Sequence, residues 1–202
     1  RKLDTIVITN KVYRDLAAPL RRWVGKQDGN LVLLDKAIKM LRPMRMIKGP
    51  VTSNNHYLGY VNFATPGRDV TYEDPLARKI NQPGAAEGMS GGEVHRRQTY
   101  EAVPIGYAIQ DPSGDDANNS PVWTIAHSDW RKARGDQRSV GTTGNRNAIS
   151  YGEIKFRGGR IRILGALLPM PTKRFDNPFG VANYAITYSG YQLLKNMLQW
   201  NR

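Results

Sequence analysis

Thr5-Ile6-Val7-Ile8-Thr9 is a β-branched run set between polar residues, which predicts a buried strand. From Asp15 onward, Leu16, Leu20, Trp23 and Val24 recur at helical spacing. Asp15 is placed to cap or charge the first turn of that helix, and Pro19 lies near enough to its start to be tolerated. Gly25 and Gly29 are expected to end it. Leu31 to Leu34 is then a continuous apolar run, the pattern of a parallel strand covered on both faces. Asp35 is placed to cap a second helix over 36–41, which Pro43 stops. Strand, helix, strand, helix in this order predicts a βαβ unit.

Residues 48–147 lose this regularity. Short apolar pieces at 57–63, 103–109 and 122–126 alternate with Gly, Pro, Asn and Asp clusters, predicting an irregular, loop-rich insertion with a few strands. Met89-Ser90-Gly91-Gly92 and 141–144 are expected to be mobile loops. Order returns at 149–156 and 160–164, which flank Arg157-Gly158-Gly159 and predict a hairpin with glycines available for positive φ. In its second strand Ile161 and Ile163 point one way, and Arg160 and Arg162 the other. That alternation predicts an edge strand, or one with a basic, solvated face. A last helix over 188–200 places Tyr191, Leu194 and Leu198, with Tyr188 or Met197, on its apolar stripe.

Composition narrows the picture. A chain of 202 residues, 40% hydrophobic, suits one α/β domain over 1–202, and 20 glycines with 12 prolines agree with many turns. There is no cysteine, which excludes disulfides, thiolate metal sites and cysteine nucleophiles and leaves the redox compartment open. Thirty Lys and Arg against 17 Asp and Glu give a net charge of +13. The cations are dispersed, at Arg21-Arg22, 42–48, Arg96-Arg97, 131–138 and 157–162. Such a field suits nucleic acid, anionic lipid or acidic glycan without choosing among them, and a basic solvated surface is the plainer account. No apolar run approaches the ~18 residues of a membrane span. No signal-peptide pattern opens the chain; Arg1-Lys2 runs almost directly into a strand, as in a cleavage product or a fragment.

The strand at Thr5–Thr9, the helix closing on Trp23-Val24, the Gly29-Asn30 turn and Leu31–Leu34 carry a resemblance, together with Gly158-Gly159-Arg160-Ile161 and Leu193-Leu194-Lys195-Asn196. They resemble the class I glutamine amidotransferase-like domain, over the two ends of the chain and by fold grammar more than by chemistry. The resemblance implies an α/β fold: a largely parallel, flavodoxin-like/amidotransferase-like sheet with helices on both faces, a long irregular insertion at 48–147 and a late β-hairpin. Amidotransfer needs a thiolate on a tight strand-to-helix elbow with an oriented His base, and no cysteine exists to supply it. Similar domains look familiar as non-catalytic accessory modules at the C-termini of larger secreted bacterial enzymes, zinc carboxypeptidase-like proteins among them. The resemblance therefore implies an extracellular or cell-envelope setting, with the remainder of a larger polypeptide or neighbouring subunits as partners.

Other constellations are weaker. Asp35 stands at a strand end where some relatives carry a polar functional residue, although a helix cap explains it. His56, His95 and His127 come from three separate segments without metal-ligand spacing; Asp35, His95 and His127 remain as candidate cleft residues, and Glu93 or Asp129 as helpers for a zinc ion. Asp111, Ser113, Asp115 and Asp116 place oxygens as a calcium loop would, yet lack the late bidentate Glu and equally compose a long turn. The expectation is thus no cofactor, with calcium the metal the sequence suggests. His127-Ser128-Asp129 is not a triad, since triads assemble from distant segments; Ser128 or Asp129 reads as a helix cap. Ser90 does not sit in a G-x-S-x-G elbow.

Trp23 and Trp200 fall on apolar helix faces and are assigned to packing. Trp123, Trp130, Tyr57, Tyr60 and Tyr100 fall in the irregular stretch, where a binding surface is expected. Trp130 adjoins Arg131, Lys132, Arg134 and Arg138, the candidate patch for an anionic polymer. Three functions follow. The favoured one is a non-catalytic interaction or structural module of a larger exported protein. The others are a polyanion-binding module and a divergent hydrolase using Asp35, His95 or His127, with or without a metal.

Overall fold

The hydrophobic runs at the start of the chain pair with the hairpin near its end. In the computed structural model, residues 4–56, 58–61, 103–108, 120–136, 141–143, 145–165, 184–186 and 188–199 are described. Strand β1 (Thr5–Thr9) leads through α1 (Ala17–Lys26) to β2 (Asn30–Leu34), which lies parallel to β1. Every residue of β2 is buried, as its unbroken apolar run predicts. A 3-10 helix (Asp35–Leu41) follows β2. Next come β3 (Val51–His56) and β4 (Leu58–Val61), then β5 (Val103–Ala108), β6 (Ser120–Ala126) and α2 (His127–Lys132). The chain finishes with β7 (Gly141–Thr143), β8 (Asn145–Phe156), β9 (Gly159–Leu164), β10 (Tyr184–Ile186) and α3 (Tyr188–Leu198).

Among the described residues, seven strands make the main sheet, in the order β1-β2-β9-β8-β6-β3 with β7 also on β8. Pairs β1–β2 and β2–β9 are parallel, whereas β9–β8, β8–β6, β6–β3 and β8–β7 are antiparallel. The expected largely parallel sheet is therefore a mixed one, mostly antiparallel. The cause is the short Arg157-Gly158 connection: two residues can join only antiparallel neighbours, so β8 must oppose β9. The left-handed residue of that turn is Arg157, at φ 56°, and not a glycine. Strands β3 and β6 come from the stretch expected to be irregular, yet they belong to the main sheet. A second, antiparallel sheet has the order β10-β5-β4.

Helices cover both faces of β2 and β9. On one, Leu31, Leu33, Ile161 and Ile163 pack with Leu20 and Val24 of α1 and with Ala37, Ile38, Met40 and Leu41 of the 3-10 helix. Residues of opposite parity meet α3: the Asn30 side-chain amide donates to the Met197 carbonyl at 3.0 Å. Arg162, expected to face water, is 2% exposed because β9 is interior and α3 lies over it. Its Nε donates to Glu153 Oε2 at 2.8 Å, and its Nη1 donates to the carbonyls of Met197 at 2.6 Å and Gln199 at 2.8 Å. The helix presents a different face from the expected one. Gln192, Leu193, Asn196 and Met197 are buried, while Tyr191 and Leu198 are exposed.

Caps differ from expectation too. Leu16 is the N-cap of α1, and no side-chain capping bond is made there, so Asp15 does not cap it. Gly25 stays inside α1 and gives room to the Phe156 ring, whose Cε1 would lie 2.9 Å from an added Cβ. Ala126 is the N-cap of α2, likewise without a side-chain capping bond, which leaves Ser128 and Asp129 within its first turn.

Candidate anion-binding site

Where β1 and β2 end at their carboxyl edges, the chain gathers cations. After β1, Asn10 takes a left-handed φ of 50° and its N–H donates to the Leu34 carbonyl at 3.3 Å, which turns the chain across the sheet edge. The following segment carries Val12 and Arg14 and is fastened where the Tyr13 N–H meets Met40 Sδ at 3.1 Å. After β2, Asp35 (φ 53°) redirects the chain into the 3-10 helix. Ala37, Ile38, Met40 and Leu41 enter the core, and Lys36 is left exposed with Lys39 half-buried.

A cleft of about 710 Å³ opens here, lined by Val12, Arg14, Lys36, Lys39, Arg42, Pro43, Pro50 and Val51. Its arrangement follows from helix type. In a 3-10 helix, residues three apart eclipse, at ~2.0 Å rise each, so Lys36, Lys39 and the C-cap Arg42 form one row with ~6 Å between members. Lys39 Nζ is held 4.6 Å from the centroid of the Trp123 ring, a cation–π contact that fixes the middle of the row. Among the described residues, no carboxylate lines the cleft and none of Arg14, Lys36, Lys39 and Arg42 has an ion-pair partner. Four like charges held together repel, and an anion between them removes that repulsion while accepting their hydrogen bonds. The described lining residues supply positive charge and hydrogen-bond donors, the groups that hold an anion.

The residues singled out from sequence are distributed differently. Trp130 is fully buried: its indole N–H donates to the Asp136 carbonyl at 2.9 Å, and Gly135 lies against the ring so closely that a Cβ there would overlap it. It cannot stack on a ligand. Arg131, Lys132 and Arg134 are exposed beside it, and Arg138 lies outside the described residues. Trp123 is also buried, because β6 is an internal strand. The side chains of Tyr57, Tyr60 and Tyr100 lie outside the description.

Asp35 is not an N-cap. It is the first residue of the 3-10 helix and is buried. His127 opens α2, half-buried, after β6, and β9 and β8 stand between β6 and β2. His95 and the calcium-type loop of Asp111, Ser113, Asp115 and Asp116 lie outside the described residues. Among the described residues, no group of three His, Asp or Glu side chains converges to hold a metal, and no helix is long and apolar enough to cross a membrane.

Three of the cleft residues had a sequence signal, namely basic residues at every third position: Lys36, Lys39 and Arg42. Read at α-helical periodicity, that spacing drifts around the helix; read at a period of three, it is a ridge. Compared with known proteins, the chain matches no protein-family model, and no curated protein matches it in sequence.

Proposed function

We propose that this chain is a non-catalytic module that holds a polyanionic partner in the cleft at the carboxyl edge of β1 and β2. The observation that carries this is the row Lys36, Lys39, Arg42, joined by Arg14, with no carboxylate among the described lining residues. A net charge of +13 adds a long-range field that draws an anionic polymer toward it. Trp123 and Trp130 are buried, so contact runs through the partner's charges and not through stacking on these rings. The cysteine-free composition and the parallel β1-β2-β9 core are compatible with an amidotransferase-like scaffold that has no nucleophile. On this proposal the partner is part of a larger assembly in which the module serves as an anchor.

The test is binding of a labelled single-stranded oligonucleotide and of a heparin fragment by fluorescence anisotropy across a salt series. Lys36→Gln/Arg42→Gln, at two exposed positions, should weaken the preferred polymer about tenfold and reduce the magnitude of the log–log salt slope by about 1 to 2. Unchanged affinity and slope in that double variant would remove the cleft from the binding surface.

A further inference from the structure

A second basic cleft lies at the opposite end of the sheet, where nothing described so far assigns a ligand. We propose that it binds a single phosphate group. Ala18, Arg21, Arg22 and Lys26 of α1 face Phe156 and Arg157 of the β8–β9 hairpin around a cavity of about 220 Å³. Phe156 pairs with Gly159, the first residue of β9, and β9 runs parallel to β2. The hairpin turn therefore sits at the amino edge of β2, away from the row of Lys36, Lys39 and Arg42.

This cleft is built by packing. Gly25 lets the Phe156 ring sit against α1, and the ring takes the Arg21 guanidinium at 5.0 Å from its centroid and that of Arg157 at 5.6 Å. The left-handed φ of 56° at Arg157 places this residue in the tight turn beside the ring. Arg21 Nε is buried and has no hydrogen-bond partner, so part of this guanidinium is already withdrawn from water without an acceptor. Among the described residues no carboxylate lines the cavity; Asp28 lies against Gly158 in the adjoining turn, outside the lining.

Three guanidiniums and one ammonium around a small space match a tetrahedral dianion. Guanidinium presents paired donors to two oxygens of one phosphate, and two of the three are held by the ring before the ligand arrives. The 710 Å³ cleft suits several charged groups, and this one of 220 Å³ suits one. The phosphate is either the free ion or a terminal phosphate on a polymer. The inference does not rest on the function proposed for the first cleft.

The experiment is a ¹H–¹⁵N shift titration of the full chain with inorganic phosphate, ionic strength held constant with chloride. Saturable shifts should map to the amides of Arg21, Arg22, Lys26, Phe156 and Arg157. Arg21→Gln/Arg157→Gln should raise the Kd read from these amides about tenfold or more, while Lys195→Gln, exposed on α3 and outside both clefts, leaves it unchanged. If the first pair of substitutions disturbs the fold, Arg22→Gln, at an exposed position, should still raise the Kd about threefold. A second arm compares oligothymidylate with and without a 5′-phosphate. Tighter binding of the phosphorylated form, abolished by Arg21→Gln/Arg157→Gln, assigns the polymer end, and equal binding assigns the free ion. Shifts that do not saturate, shifts that map elsewhere, or an unaltered Kd in these variants overturn the proposal.

Discussion

Arg162 shows how much one side chain decides. Its guanidinium ties β8 to the carboxyl end of α3 by bonding Glu153 and the last helical carbonyls, including Asn196 at 3.4 Å. A cation suits that end of a helix, where the unpaired carbonyls concentrate negative charge. Arg160 also bonds Glu153, at 3.1 Å, but it is more exposed. Arg162→Met leaves Glu153 and the α3 carbonyls buried without their main donor and should cost about 3 to 5 kcal/mol in urea unfolding. Glu153→Gln/Arg162→Met should recover part of that loss; a single variant as stable as the wild type would show that the pair carries no net weight.

Tyr151 lies on the same strand as Glu153, and burial pushes its phenol well above the ordinary range, with Arg162 opposing and Glu153 reinforcing the shift. The folded state keeps the proton while the unfolded chain releases it from about pH 10. Stability from this group is therefore complete below pH 10 and falls as pH rises, at most ~1.4 kcal/mol per pH unit. The stability difference between wild type and Tyr151→Phe, followed from pH 8 to 11, should shift toward the variant as pH rises; a flat difference would count against it.

At the scale of the element, α3 and the 3-10 helix both present faces that composition alone misplaces. In α3 the Gln192 side-chain amide donates to Asn196 Oδ1 at 2.9 Å, which lets two polar residues share the buried face with Leu193 and Met197. Asn196 and Met197 also offer Arg162 their carbonyls, so a polar inward face answers a charged sheet. Leu193→Ala should cost about 2 to 5 kcal/mol, whereas Leu198→Ala and Tyr191→Ala should each cost less than ~1 kcal/mol. Equal losses at Leu193 and Leu198 by thermal or urea unfolding would return the helix to its more obvious apolar stripe. The 3-10 helix makes the complementary point: its period of three is what turns scattered cations into a ridge.

For the whole molecule the net charge is +13, and two groups of described cations line clefts at opposite ends of the sheet. Self-repulsion of this kind weakens the folded state until salt screens it. Raising NaCl from about 10 mM to about 150 mM shortens the Debye length from ~30 Å to ~8 Å and should raise the urea midpoint. On the proposed function, a saturating polyanion should raise it further at low salt, because a ligand of the folded state alone stabilises that state. A midpoint that falls with added NaCl would mean the charges are already balanced by partners.

Local patterning was enough to read the β1–α1–β2 unit, the burial of β2 on both faces, the late hairpin and the presence of a terminal helix. These are written in local patterns: unbroken β-branched runs, helical spacing and a glycine turn. The sequence also removed cysteine chemistry outright. It took the assembled fold to show that the sheet is mixed, that Arg162 is internal, that Trp123 and Trp130 are core residues, and which cations meet across a cleft. Each of those depends on which strand is the neighbour of which, and pairing between residues far apart in the chain is set by the packing of whole elements, not by the residues flanking each position.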